Sequence, residues 1–298
     1  MCGIVGLYAK QENISANLGV HLSKMLESMS DRGPDSAGLA IYGKPLASKT
    51  KITVQSRSPK HDFQKLKKFL SAKKEISYSF KIYSTHAVIK LDVKQKDKVT
   101  NLIKDIFPTL RILSVGKKME IYKEIGKPAE VVKRFEIDKM KGSHGIGHTR
   151  MATESAVTTL GAHPFSTGED QCLVHNGSLS NHNSLRRELM RKEMTFETEN
   201  DSEVAASFIT YKLNCGKTLK EALESALVEL DGFYTFVVGT ENGFGVLRDP
   251  IACKPAVLAE TPDYVAFGSE YRALTSLPKI EKAKVWEPEP ATVYFWGH

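Results

Sequence analysis

The second residue of the chain is a cysteine, followed at once by a glycine and a short apolar run, MCGIVGLYAK. Removal of Met1 ahead of this small side chain would leave Cys2 with a free α-amine. Such an amine has an ordinary pKa of about 7.7–8.0, close to the value of about 8.5 for a thiol. Near neutral pH a useful fraction of the amine is unprotonated and accepts the thiol proton, so the nucleophile brings its own base and needs no separately positioned histidine. Met-Cys alone fits two other readings, a buried structural cysteine and a lipid attachment site. The lipid reading fails, because a lipoprotein cysteine must follow a cleavable hydrophobic segment and the myristoyl signal needs glycine after methionine.

A paired Cys–His nucleophile is the chemical rival. Cys172 and His175 in QCLVHNG are the nearest such neighbours, but three residues apart on a strand they point to opposite faces at roughly 10 Å. Cys172 reads better as a small core residue. Cys2, Cys172, Cys215 and Cys253 lie far apart with no C-x-x-C pair, which gives no zinc or redox signature. His144 and His148 flank Gly-Ile-Gly in what reads as extended chain, and about 13 Å of strand separates them, too far for one ion. No metal site is expected.

With 41% apolar and 26% charged residues in 298, the chain has ordinary globular composition and length enough for a substantial core. No window approaches a membrane span and no signal peptide opens the chain, so the protein is expected in the cytoplasm, with its glycosylation sequons at Asn13, Asn176 and Asn200 idle. Positive charge is concentrated: Lys60–Lys141 holds 21 basic and 10 acidic residues, whereas the remainder holds 21 against 25. No RNA- or DNA-binding signature accompanies that block, so it reads as a solvated lysine-rich surface and nucleic acid is not an expected partner.

The elements that must position these groups alternate clearly. Residues 2–8 and 37–42 read as buried strands, and Leu18, Leu22, Met25, Leu26 and Met29 recur at helical spacing, predicting a helix from Asn17 to Met29. DRGPDSAG follows as a Gly/Pro turn. From about 59 to 125 the character changes to a lysine-rich α/β insertion: a helix at DFQKLKKFLSAKK, a strand at SFKIYSTHAVIKLDV, a helix at KDKVTNLIKDIF, then two strands, LRILSV and MEIYKEI. Pro128–Phe135 reads as a short helix. The second half offers a strand at QCLVHNG, helices at SLRRELMRK, SEVAASFITYKLN and Thr218–Leu230, then successive strands YTFVVGT, GFGVLRD, PAVLAE and YVAFGS. Helices beside strands that they do not individually separate predict an α+β fold, a four-layer α/β/β/α sandwich. No repeat or linker divides residues 1–298 into independent domains.

MCGIVGLY, DRGPDSAGLAIY, GIGHTRMAT, GAHPF, VHNGSLSNH, TENDSEVAA and GSEYRAL occur in this order, and in that order the chain resembles the class II glutamine amidotransferase domain, an N-terminal nucleophile hydrolase. The likeness runs over nearly the whole chain except the insertion. It implies that Cys2 attacks the carboxamide of glutamine, expels ammonia and leaves a thioester for water to hydrolyse. It further implies that Asn176 and Gly177 supply the oxyanion donors, that Arg150 grips the substrate α-carboxylate and that Asp201 receives its α-ammonium. Thr153 and His163 match positions near the same substrate end, and Arg32 matches an arginine that buttresses the nucleophile's strand. Asp35 shapes the turn.

The chain also departs from its resemblance. The sugar-aminating branch has an aromatic after HTR and a His-Gly pair after the threonine, where this chain has Met151 and Glu154-Ser155. The insertion is similar to those of the enlarged amidotransferase modules of glutamate synthase and N-methylglutamate synthase. No P-loop, nucleotide-splitting signature or sugar-phosphate domain is present, so the expected acceptor of ammonia is a separate glutamate-synthase-like subunit. FMN and iron–sulfur clusters are expected on that partner and no cofactor on this chain. A free-standing γ-glutamyl amide hydrolase and a non-catalytic docking module are the alternatives, and a homo-oligomer is compatible with the sequence.

Overall fold

The structure is a computed structural model that describes residues 2–152 and 157–297. The first strand, β1 (Gly3–Ala9), is buried throughout. Its Ile4 and Tyr8 face one apolar layer and its Val5, Leu7 and Ala9 another, the period-two alternation of a strand covered on both sides. A short helix, α1 (Glu12–Ala16), leads into α2 (Leu18–Glu27). The helix expected to reach Met29 stops at Glu27, and a 3₁₀ turn over Ser30–Arg32 follows. Next come β2 (Ser36–Tyr42), β3 (Lys49–Ser56), α3 (Pro59–Ala72), β4 (Tyr78–Tyr83), β5 (His86–Asp92), α4 (Lys96–Ile106), β6 (Leu110–Gly116), β7 (Met119–Ile125), α5 (Pro128–Phe135) and β8 (His144–Arg150). The second half supplies β9 (Phe165–Gly168), β10 (Gln171–Leu179), α6 (His182–Arg191), α7 (Asp201–Asn214), α8 (Leu219–Glu229), β11 (Gly232–Thr240), β12 (Gly243–Arg248), β13 (Val257–Glu260), β14 (Tyr264–Gly268), β15 (Lys284–Trp286) and β16 (Thr292–Gly297).

The strands form a seven-stranded sheet in the order β15-β13-β14-β1-β8-β2-β7, a five-stranded sheet β16-β12-β11-β10-β9, and a four-stranded sheet β4-β5-β3-β6. The two larger sheets face each other across Ile4, Tyr42, Ile121 and Ile146 on one side and Cys172, Val174, Val237 and Phe244 on the other. Leu18, Leu22, Met25 and Leu26 of α2, with Phe135 of α5, cover the outer face of the first sheet. Helices α6, α7 and α8 cover the second. The expected four-layer α/β/β/α arrangement is therefore present.

The lysine-rich region differs from its expected outline. The four-stranded sheet begins at Lys49, before residue 59, and ends at Gly116. The strand at MEIYKEI, expected inside the insertion, is β7 and pairs with β2 in the large sheet, Ala40 opposite Ile121. Its Met119 and Ile121 lie between the sheets and its Tyr122 under the helices, so β7 needs cover on both faces that a small module does not provide. The strand expected across SFKIYSTHAVIKLDV is a hairpin, with Tyr83 opposite His86 and Ser84 at φ 52° in the two-residue turn. Turns of this kind normally announce themselves with Asn or Gly, and Ser-Thr does not.

In β8 the alternation is sharper than usual. Ile146 points between the sheets, as do His144 and His148, whereas Gly145 and Gly147 face α2. A Cβ at Gly145 would stand 2.5 Å from Leu22 Cδ1 and 2.8 Å from Ala40 O, so only glycine lets the helix lie this close. Gly145→Ala is expected to destabilise the fold by about 1–3 kcal/mol through overpacking, seen as a lower urea midpoint; an unchanged midpoint would show that helix and sheet are not in rigid contact.

Candidate functional site

Cys2 lies one residue ahead of β1, half-buried. The ladder pairs Gly3 with Thr149, and continuing that register sets Cys2 opposite Arg150, the last residue of β8. On the other flank Ser269 fixes the start of the strand: its backbone N–H donates to Ile4 O at 2.9 Å and its hydroxyl accepts from the Ile4 N–H at 2.9 Å. The carbonyl of Cys2 itself accepts two side-chain hydrogen bonds, from Arg32 Nε at 2.9 Å and from Asn176 Nδ2 at 3.4 Å. Arg32 is buried and ion-paired with Glu270, which Arg272 also engages through Nε at 2.7 Å.

Asn176 reaches Cys2 because of its place on β10. Cys172, Val174 and Asn176 share the face that looks between the sheets, while His175 looks toward α7. The next residue, Gly177, has φ +144°, and a Cβ there would sit 2.0 Å from Phe233 O. No other residue fits that backbone. Arg150 is buried at the far side of Cys2, and its Nη1 would be 3.2 Å from a Cβ built on Gly161, so the guanidinium lies against the GAHPF segment. The DRGPDSAG turn secures this end of β8 twice: Asp35 N–H donates to Arg150 O at 3.1 Å, and Asp35 Oδ2 accepts from Ala152 N–H at 2.8 Å.

Asp201 opens α7. Asn200 caps that helix by accepting from Ser202 N–H at 2.9 Å, and Glu203 binds Glu197 N–H and Thr198 N–H, each at 2.7 Å. With its neighbours so occupied, Asp201 turns to β10, where Oδ2 accepts from Leu179 N–H at 3.0 Å. Its carboxylate keeps 22% exposure. Thr153 lies outside the described residues.

His163 is not at an open surface. It is buried, its ring stacked on His148 at 4.0 Å, and its Nδ1 accepts from His175 N–H at 3.3 Å. His148 in turn donates from Nε2 to His175 O at 3.0 Å, and His175 Nδ1 meets Ser202 Oγ at 2.9 Å beside Asp201. Three imidazoles thus form one packed unit that links β8, the GAHPF segment, β10 and the start of α7. Burial holds His148 down to about 3 and lowers His163 and His175, with their mutual charges and Arg150 adding to the effect on His148 and His163. All three are neutral at pH 7. Lys123 supports the same segment from below, donating to Leu160 O, Ala162 O and Pro164 O. Burial lowers its pKa to about 8, so it stays cationic at neutral pH.

The structure therefore joins Cys2, Arg32 and Asn176 directly, sets Arg150 beside them through the strand register, and connects His163 and Asp201 through His175. The sequence reading did not assign His148, His175, Ser202, Ser269, Glu270 or Lys123. All but Lys123 sit inside the motifs already singled out, where each motif carries more polar residues than the chemistry uses. Cys172 is buried, with its thiol 3.3 Å from Tyr42 OH and pushed up to about 12 by burial, a core residue as expected. Among the described residues no three His, Cys, Asp or Glu side chains are grouped to hold a metal ion, and no helix is long and apolar enough to cross a membrane.

Comparison with known proteins gives this geometry a setting. Residues 148–276 match a glutamine amidotransferase domain model. The glutamine amidotransferase-like protein GlxB of Rhizobium meliloti is 61% identical over 298 residues, which is 100% of this chain and 99% of that one. A protein of Methanothermobacter thermautotrophicus that bears a glutamine amidotransferase name is 32% identical over 315 residues, covering 99% of both chains. The glutamine phosphoribosylpyrophosphate amidotransferase structure from B. subtilis has the same fold, with a TM-score of 0.63 at 22% identity over 99% of this chain and 47% of that chain.

Histidines whose folded pKa is depressed bind fewer protons than they do in the unfolded chain, so their effect on stability appears as pH falls below about 6.5 and continues to about 3 for His148. Stability is expected to drop on acidification across that window. His148→Gln keeps an N–H donor in reach of His175 O but cannot titrate, and the loss of unfolding free energy between pH 7 and pH 5 should shrink by up to about 2 kcal/mol. Denaturant titrations at the two pH values measure it; an identical loss in both proteins would mean that His148 is already charged in the fold.

Proposed function

The chain belongs to the class II glutamine amidotransferases, and from that premise we propose that it hydrolyses glutamine at Cys2 and passes the ammonia to a separate synthase subunit. The observation that carries the proposal is the clasp on the Cys2 carbonyl, gripped by Arg32 on one side and Asn176 on the other. After loss of Met1 the α-amine of Cys2 takes the thiol proton, and the thiolate attacks the side-chain carbonyl carbon of glutamine. Negative charge moves onto the carbonyl oxygen, where Asn176 Nδ2 and Gly177 N–H are the donors. The proton held by the amine returns to the leaving nitrogen, the C–N bond breaks, and ammonia departs from a Cys2 thioester. Water activated by the same amine then attacks the thioester, restoring the thiol and releasing glutamate.

Substrate is held at its zwitterionic end. Arg150 supplies a planar fork for the α-carboxylate, and Asp201 an acceptor for the α-ammonium, with its carboxylate oriented by Leu179 N–H. Thr153 and His163 belong to the same end, His163 acting through its stack on His148. Arg32 positions Cys2 and takes no part in bond making. Ammonia then moves to a glutamate-synthase-like partner, which would carry any FMN and iron–sulfur centres.

The experiments follow the order of events. Intact mass of the active protein is expected to lack one methionine residue, and an electrophilic glutamine analogue should add once, at Cys2. Cys2→Ala should abolish both labelling and glutaminase activity; full activity with Met1 retained would overturn the mechanism. Asn176→Ala is expected to lower kcat by about 10²–10³ with KM for glutamine little changed. Equal turnover of other γ-glutamyl amides, with no response to any synthase subunit, would instead identify a free-standing hydrolase.

A further inference from the structure

A concavity lies at the opposite end of β2 from Arg150. Ser36, at one end of that strand, pairs with Arg150, whereas Tyr42, at the other, pairs with His144; six residues of strand put about 20 Å between the two regions. The cavity, about 310 Å³, opens on the seam where the four-stranded sheet meets the seven-stranded one. Its walls carry five lysines, Lys44, Lys51, Lys90, Lys139 and Lys141, against a single carboxylate, Glu120.

The lysines come from five different places: β3, β5, the segment after β2, the 3₁₀ turn after α5, and the approach to β8. Lys51 is buried, its ammonium 2.8 Å from Glu120 and donating to Lys118 O at 3.0 Å. That pair consumes the only acid in the wall. Lys139 pairs with Glu136 at 3.1 Å on the exposed rim. Among the described residues Lys44, Lys90 and Lys141 make no ion pair. Burial would raise the Glu120 pKa, yet the charge and hydrogen bond of Lys51, the Tyr122 hydroxyl and Lys90 together hold it below the usual carboxylate range, as a strongly positive surrounding requires. Lys51 is buried and Lys90 half-buried, while Lys44, Lys139 and Lys141 stand exposed around the mouth of a concavity built from separate segments.

We propose that this pocket binds a compact polyanion, a small molecule with two or more phosphate or carboxylate groups, which ties the four-stranded sheet to the main sheet. Its volume is at the lower end for small-molecule sites, so the ligand is no larger than a phosphorylated sugar or a tricarboxylate. This goes beyond glutamine hydrolysis and does not depend on it.

The test is calorimetric titration of the full chain with inorganic pyrophosphate in one arm and citrate in the other, at physiological ionic strength. Saturable binding of either at one site per chain is expected, with the preferred arm telling phosphate from carboxylate. Lys44→Ala combined with Lys141→Ala should weaken that binding at least tenfold and leave glutaminase activity without anion unchanged. Substituting Lys65 and Lys68, exposed on α3, should leave binding intact. Absence of saturable binding in both arms, or equal loss in the Lys65 and Lys68 variant, would reduce the pocket to diffuse attraction by a lysine-rich surface.

Discussion

A residue just outside a strand is held by no ladder, and Cys2 is such a residue. What fixes it is its own carbonyl oxygen, shared between a buried guanidinium from the 3₁₀ turn after α2 and a buried amide from β10, far apart in the sequence. The rest of the site can be seen as scaffolding for those two donors. Glu270 aligns Arg32, Ser269 fixes the first peptide of β1, and β10 presents Asn176 on the face between the sheets. A strand end that would otherwise fray thus becomes a defined position.

The same economy of strand geometry binds the sheets to each other. In His-Gly-Ile-Gly-His the glycines admit α2 on one face, and the histidines cross the gap on the other. His144 Nε2 meets Thr240 O at 2.9 Å and His148 Nε2 meets His175 O at 3.0 Å. A neutral imidazole suits the His148 cross-link because a charged donor in the same dry layer would need a counter-ion. His148 ends its cross-link at His175 O, one residue from Asn176, so the same contact that joins the sheets there also steadies the amide that reaches Cys2.

Much of this was legible in the residues, and the failures have local causes. The apolar spacing of Leu18, Leu22, Met25 and Leu26 identified α2, and the short apolar run after Cys2 identified β1, because these patterns are local to the sequence. The hairpin at Ser84-Thr85 was hidden because its turn lacks the residues that favour positive φ. The sheet to which β7 belongs was hidden for a different reason: partner strands are chosen by long-range burial, and MEIYKEI reads alike in either sheet. Seven short motifs outlined the site, and Cys2, Arg32, Asn176 and Arg150 lie together in it. The packed imidazoles and the hydroxyl of Ser202 were missed because each acts through another side chain, and such dependence leaves no spacing rule.

The arrangement of β2 and β7 bears on how the chain acquires its shape. These strands are hydrogen-bonded neighbours, Tyr42 opposite Met119, yet the whole four-stranded sheet with its two helices intervenes. Bringing such distant partners together from an open coil carries a large loop-closure entropy. The intervening sheet has its own apolar cluster around Phe63, Leu66, Ile89 and Ile103 and neighbours that are close in sequence, features of early assembly. Once formed, it delivers Tyr42 and Met119 to nearly the same place, turning a slow search into a short hairpin-like closure.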